Sequence, residues 1–265
     1  MKVTILGCGG SAGVPMIGGE EGPQTGIWGA CDPTEPRNRR TRSSVVIEGE
    51  GGFRLLVDSG PDFRDQMLNC GLSHVHAVLY THPHSDHIGG LDELRAINRV
   101  IGTPLPLLGT QDVLEELRLR YAYAFAPWKG PDFYRPVFDE RIVQTGETVL
   151  FPGLNAQIFE QRHGRITSLG VRCGNFAYST DVETLSDEAL LLLEGVQTWI
   201  VDCFQYDPHP AHAWLERVLE WRERIGVKHV ILTHMGPDMD YQTLCKTLPE
   251  GVEPAYDGMV LELQA

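Results

Sequence analysis

The sequence predicts an α/β protein built as one domain over residues 1–265. Short β-rich runs punctuated by Gly and Pro alternate with a few helical stretches along the whole chain. The segments Ala77-Val78-Leu79-Tyr80-Thr81-His82 and His229-Val230-Ile231-Leu232-Thr233-His234 echo each other, each a buried-type strand that ends in Thr-His. Two such strands point to two similar halves facing one site, since α/β sheets place ligands at their C-terminal strand ends. No linker divides the 265 residues, a length that suits one large domain or two small ones.

Taken in order, the first strand is expected at 2–6, in KVTIL. The Gly7-Cys8-Gly9-Gly10-Ser11-Ala12 that follows fits G-x-G-x-x-G/A in form. A dinucleotide site also needs a helix to start there, with its N-terminus toward the pyrophosphate. Pro15, Gly18, Gly19, Gly22 and Pro23 forbid that helix, so the motif reads as a turn, with a glycine-rich loop near a phosphate as the alternative. Residues 13–42, rich in Gly and Pro, read as a long surface excursion. Further strands are expected at 43–48, 53–58, 76–81, 105–108, 155–160, 166–172, 175–180, 197–202, 229–233 and 259–263. Helices are expected at 62–69, 89–99, 110–121, 186–193, 211–225 and 240–247. The 211–225 stretch has the clearest amphipathic spacing, with Trp214, Leu215, Val218, Leu219, Trp221 and Ile225 apolar, which is a core-packing stripe. The aromatic-dense stretch 121–134 reads as a packed long loop, with a lid or a dimer contact as the alternatives.

Composition excludes several classes. Hydrophobic residues at 42% and charged residues at 22% are those of an ordinary soluble globular protein. No run approaches the ~18 apolar residues of a membrane span, and the N-terminal apolar run is too short for a signal peptide. The net charge of −14 repels a long polyanion such as DNA. Six cysteines with no CxxC pair are the reduced thiols of a cytoplasmic protein.

Chemistry concentrates in Thr81-His82-Pro83-His84-Ser85-Asp86-His87-Ile88-Gly89-Gly90. Histidines at alternate positions of an extended loop point to one side, so His82 and His84 can share one ion. Asp86 and His87 follow as the chain enters a helix and project elsewhere, so one motif can feed two adjacent metals. Pro83 stiffens the loop, and Gly89-Gly90 lets backbone approach closely. Two ions need more ligands. Strand-end position leaves His163, His209, His212 and His234, with Asp58, Asp181 and Asp202 as the carboxylates, and spacing does not choose among them.

HxHxDH after a hydrophobic strand resembles the metallo-β-lactamase superfamily. Leu55-Leu56-Val57-Asp58-Ser59-Gly60, His163, Ser179-Thr180-Asp181 and Leu232-Thr233-His234 extend the resemblance over nearly the whole chain. The resemblance implies a four-layer αβ/βα sandwich of two similar halves with a dinuclear site along one edge. It implies one metal on His82, His84 and His163, a second on Asp86, His87 and His234, and Asp181 between them. Asp58 then resembles an outer aspartate that holds a ligand histidine in the right tautomer. β-Lactamases of the superfamily lack the bridging aspartate, which argues against antibiotic hydrolysis. A hydroxide shared by two metals ~3.5–4 Å apart suits in-line attack on a phosphodiester.

The glycine start continuing to Gly13-Val14-Pro15, the run Arg37-Asn38-Arg39-Arg40-Thr41-Arg42-Ser43-Ser44, and Tyr256-Asp257-Gly258-Met259 are similar to the PhnP-type phosphodiesterase branch. So is His212, at the head of the helix after Val201-Asp202-Cys203. The branch implies a proton donated by His212 to the leaving oxygen, or a phosphate oxygen bound by it. Arg39 and Arg40 are expected on a substrate phosphate, because guanidinium forks match phosphate oxygens. A solvated basic loop is the alternative. PhnP carries a cysteine cluster in the excursion, where this chain has Cys31 alone, so an extra structural zinc is not expected.

The expectation is a metal-dependent hydrolase using two divalent ions, Zn²⁺ or Mn²⁺, on a small cyclic or diester phosphate. Asp86 and His212 are its catalytic residues, and a homodimer is implied by resemblance. The alternatives are tRNA 3′-end processing, which predicts a basic RNA-gripping arm, and (thio)ester or lactone hydrolysis. A non-hydrolytic cofactor-handling protein is the third.

Overall fold

The computed structural model describes residues 1–22, 25–126 and 137–263. Among the described residues, fourteen strands form two seven-stranded sheets. The first sheet holds β1 (Lys2–Gly7), β2 (Ser44–Glu48), β3 (Arg54–Val57), β4 (Ala77–Leu79), β5 (Leu105–Gly109) and β6 (Phe138–Ile142). The second holds β7 (Thr148–Phe151), β8 (Leu154–His163), β9 (Ile166–Cys173), β10 (Phe176–Ser179), β11 (Thr198–Asp202), β12 (His229–Thr233) and β13 (Val252–Pro254). The last strand, β14 (Val260–Glu262), returns to the first sheet and pairs antiparallel with β1.

Alternation along the strands sets the layers. In β3, Leu55 and Val57 face the core between the sheets, while Leu56 joins the cluster under the helices. Val45 and Ile47 in β2 follow the same division around Val46. Central strands buried on both faces need this near-continuous apolar run. The helices α1 (Phe63–Asn69), α2 (Ser85–Ile88), α3 (Leu94–Ile101), α4 (Gln111–Arg120) and α5 (Ala122–Phe125) belong to the first half. Phe63, Leu94 and Leu114 close its outer core. The helices α6 (Asp187–Leu193), α7 (Leu215–Ile225) and α8 (Tyr241–Thr247) cover the second sheet. Trp221 of α7 packs on Trp199 of β11, with ring centroids 6.1 Å apart. Truncating a central side chain such as Leu56 to Ala would cost about 2–5 kcal/mol. The result is a mixed α/β fold of helix, sheet, sheet and helix layers.

Each half contains a parallel pair, β3/β4 and β11/β12. One strand of each pair ends at an aspartate, Asp58 or Asp202. The other runs into Thr-His, at 81–82 or 233–234.

Three expectations are corrected. The helix expected over 211–225 starts at Leu215, because Trp214 is extended (φ −124°, ψ 167°) and 211–214 form a loop. The helix expected over 89–99 starts as a 3-10 turn at Leu91–Glu93 and continues as α3, with the separate short α2 before it. Gly90 marks the break, where a Cβ would lie 2.2 Å from the Gly60 carbonyl oxygen. The excursion 13–42 is pinned rather than free, since Cys31, Asn38 and Arg40 are buried. Strands β6, β7 and β13 had no sequence expectation. Of the aromatic stretch 121–134, residues 127–134 lie outside the described residues.

Candidate metal centre

The site is built where the C-terminal strand ends of both sheets meet. On the first sheet, Asp58 follows β3 and is fully buried. It accepts from the Thr81 backbone N–H and hydroxyl at 2.8 Å each, and from His87 Nδ1 at 2.7 Å. A carboxylate only accepts, so Nδ1 of His87 carries a proton toward Asp58 and Nε2 is the nitrogen left for a metal. The Thr81 hydroxyl gives its proton to Asp58 and takes one from His82 Nδ1 at 2.9 Å. His82 Nε2 is thereby left for a metal as well. Asp58 thus orients two histidines, one directly and one through Thr81.

The second sheet supplies the rest. His163 ends β8, and its Nδ1 donates to the Ala211 carbonyl at 2.6 Å, leaving Nε2 free 3.2 Å from His84 Nδ1. Asp181 follows β10 and divides its oxygens. Oδ2 lies 3.6 Å from His82 Nε2 and 3.5 Å from His163 Nε2. Oδ1 lies 3.0 Å from His87 Nε2 and 3.1 Å from His234 Nδ1. Asp86 Oδ2 is 3.2 Å from His87 Nε2. Two groups result, His82/His84/His163/Asp181 and His87/Asp181/His234, each compact enough to hold a metal ion, with Asp181 common to both. Asp86 adjoins the second.

These donors fit metal ions by an independent measure. His82 Nε2, Asp86 Oδ2, His87 Nε2, Asp181 Oδ2 and His234 Nε2 are buried with no hydrogen-bond partner. An unpaired buried polar group is destabilising by ~1–3 kcal/mol, so five converging in one place mark a cradle for cations. The backbone agrees. Among the described residues, the non-glycine positions with positive φ are Asp58 (62°), Asp181 (49°) and His234 (55°). All three belong to the centre, and such left-handed residues cost about 1 kcal/mol or more each.

The electrostatics prepare the donors. Burial opposes charge on Asp181, but His234, His87 and His82 hold it well below the usual carboxylate range. Asp86 is likewise depressed, its burial outweighed by His87. Burial lowers His82, His84 and His234 below ordinary imidazole, which keeps them neutral as ligands require. His87 is the exception. Burial pushes it down, but Asp181, Asp58 and Asp86 together raise it well above the ordinary value. A cation at its Nε2 would take the place of that proton.

His212 sits against this cluster, its ring centroid 4.7 Å from those of both His163 and His234. Its Nδ1 donates to Asp202 Oδ2 at 2.8 Å, and the same oxygen accepts from Val182 N–H at 3.0 Å. Burial, then Asp181, pushes Asp202 up to about 8 against the pull of His234. Asp202 was one of three open carboxylates in the sequence, and its partnership with His212 was missed. The available signal was its position, equivalent to Asp58 at a strand end. His209 stands outside His212 at 5.1 Å between ring centroids.

Of the two arginines, Arg40 departs from expectation. Arg40 is 2% exposed, and its guanidinium donates to Met239 O (2.6 Å), Asn38 Oδ1 (3.3 Å) and Gly236 O (3.4 Å). It is an internal brace, and this corrects the expected phosphate contact. Arg39 lies over the Trp28 ring at 5.1 Å. The glycine start is explained by packing: a Cβ on Gly10 would meet the Phe204 ring at 2.9 Å. Asp257 bonds Cys8 N–H and the Thr41 N–H and hydroxyl, at 3.0, 2.7 and 2.6 Å, tying the glycine loop to the Arg run.

Fold and site together define a class. The Beta-lactamase superfamily domain matches residues 53–235, and the chain belongs to that superfamily, in its metallo-β-lactamase fold. Within it, the chain is similar to a solved diphosphatase of the PhnP family, at 30% identity and a TM-score of 0.86 over 98% of this chain and 97% of that one. Zinc-bound PqqB from Methylobacterium extorquens shares the fold at 18% identity and a TM-score of 0.77, over 99% of this chain and all of that one. An octanoyltransferase of Porphyromonas gingivalis is 31% identical over 98% of this chain and 51% of its own length. The chain therefore spans about half of that relative. Among the described residues, no helix is long and apolar enough to cross a membrane.

Proposed function

We propose that the chain is a dinuclear metal-dependent phosphodiesterase acting on a small cyclic or diester phosphate. The observation that carries this is Asp181, which turns one oxygen toward each histidine group. In this reading His82, His84 and His163 hold one divalent ion, Asp86, His87 and His234 the other, and Asp181 both, with Zn²⁺ or Mn²⁺ as the metal. Two such ions would supply Lewis acidity toward phosphoryl oxygens and a water of lowered pKa.

The chain's own residues do the rest. Asp58 fixes the tautomers of His87 and His82, so that their Nε2 atoms face inward. Asp202 holds His212 through Nδ1, so Nε2 is the nitrogen left to bind a phosphoryl oxygen or to give a proton to a leaving alkoxide, and burial, which lowers the ring below ordinary imidazole, makes that proton a readily released one. Asp86, held ionised, keeps the second ion's ligand set anionic. The likeness to a PhnP-family diphosphatase supports phosphoester chemistry.

Hydrolysis of bis-p-nitrophenyl phosphate by Mn²⁺- or Zn²⁺-loaded protein tests the reading. No turnover with any divalent metal, in protein shown to bind two ions, overturns it. The octanoyltransferase relative favours a second reading, an acyl ester or thioester substrate. Turnover of a thioester and lactone panel in preference to the phosphodiester would select it.

A further inference from the structure

The β8–β9 turn carries Gly164 and Arg165 directly after His163. This turn is braced on both sides. His163 bonds the Ala211 carbonyl, and a Cβ built on Gly164 would lie 3.3 Å from Ala211 Cβ. Arg165 thus starts from a backbone fixed against the metal centre and against the loop that carries His212. A cleft of about 630 Å³ opens here, and Arg165, Ile166, Pro83 and Val113 are among its lining. Two of its lining residues adjoin metal-centre histidines along the chain, Pro83 between His82 and His84 and Gly164 after His163. Its volume is that of a small-molecule site, roughly 300–1,000 Å³.

Charge singles out Arg165. Arg42 is bonded to Asp62 at 3.1 Å. Arg120 is bonded to Glu116 at 2.6 Å and to the Pro83 carbonyl at 3.0 Å. Arg162 donates to the Gly164 carbonyl at 3.2 Å and lies 3.7 Å from Glu183. Arg165 is exposed and, among the described residues, has neither a hydrogen bond nor an ion pair. Leaving a guanidinium uncompensated beside the centre, in a chain of net charge −14, gives an anion one local attraction in a repelling field. Asp112 and Glu160 also line the cleft.

We infer that Arg165 is the specificity-determining residue of this site, selecting a phosphodiester with a further negative charge, carboxylate or phosphoryl, on one of its ester groups. The inference rests on the phosphodiesterase reading. Ile166, Val113 and Pro83 flank the carbon skeleton between the two charges.

The test uses metal-loaded wild type, R165A and R165E on p-nitrophenyl phenyl phosphate and its 4-carboxyphenyl and 4-phosphonophenyl analogues. Wild type is expected to prefer the charged esters. That preference falls about tenfold in R165A and further in R165E, through KM more than kcat. The larger loss, on the carboxyl or the phosphonyl ester, names the anion. Calorimetric binding of phenylphosphonate and 4-carboxyphenylphosphonate to the same proteins reads the preference without turnover. A binding preference present in wild type and lost in R165E, with no ester hydrolysed, sinks the phosphodiesterase reading and keeps Arg165 as the selector. Equal preference in wild type and R165E, no preference in wild type, or no binding of either phosphonate overturns the inference.

Discussion

Asp58 holds its left-handed backbone (φ 62°) because both of its oxygens are in use, on Thr81 and on His87. Asparagine has the same shape but one acceptor. In Asp58→Asn the amide would confront a donor, and either His87 or the Thr81–His82 pair would lose its orientation. Metal affinity is expected to fall about 10–100-fold, as for other partners behind metal ligands, with the far-ultraviolet dichroism unchanged. Competition with a chelator measures it, and wild-type affinity in this variant would contradict the role. Asp202 makes a pH-dependent counterpart. Its folded pKa of about 8 lies above the ordinary 3.8, so between those values the folded chain holds a proton the unfolded chain has lost. Its contribution to stability is complete below pH 4 and disappears as pH rises through 8. In metal-free protein, the fall of Tm with rising pH across that window should be shallower in Asp202→Asn than in wild type. Identical slopes would show that Asp202 does not titrate there.

The excursion between β1 and β2 is held by Arg40, whose guanidinium reaches the carbonyls of Gly236 and Met239 just past His234. Arg40→Ala would strand the buried Met239 carbonyl, while Gly236 O keeps the Met239 N–H and Asn38 Oδ1 keeps the Tyr241 N–H, at a cost of about 1–3 kcal/mol. A lower urea midpoint with an unchanged slope is the expected signature. This brace shows what the sequence could and could not disclose. Central strands and most helices were legible because alternation and amphipathic spacing are local. The three strands with no sequence expectation, β6, β7 and β13, are all sheet edges. An edge strand buries few side chains: β6 has Phe138 inside and its next four residues outside. HxHxDH was legible because it is contiguous. His163, Asp181 and His234 came through family likeness, since nothing local distinguishes them from His209 or Asp202. Arg40 within its basic run looked solvated, and its burial depends on carbonyls almost 200 residues away, at 236 and 239.

The metal centre is also a junction of the whole molecule. His82, His84, Asp86 and His87 come from the first sheet, while His163, Asp181 and His234 come from the second. Ions bound there would join two sheets that are also tied by the apolar core, the β1–β14 return, the Arg40 brace and backbone bonds such as Leu169 N–H to the Thr81 carbonyl. Without ions, the folded chain carries five buried unpaired donor and acceptor atoms and three left-handed residues at this seam. Binding the folded state alone stabilises by about 2.7 kcal/mol per site at a hundredfold excess over Kd, or about 5 kcal/mol for two independent sites. For a chain of this size that corresponds to a Tm rise on the order of 10–20 °C. Chelator-treated protein should therefore melt lower by that order, and Zn²⁺ or Mn²⁺ should restore it. The increment should arrive in two steps if the sites differ in affinity. Asp181→Asn removes the carboxylate common to both groups, and should leave a Tm that responds weakly to chelator and to metal alike. A wild-type Tm indifferent to both would mean that the seam is stable without ions, and the assignment of these seven side chains to two metals would fail with it.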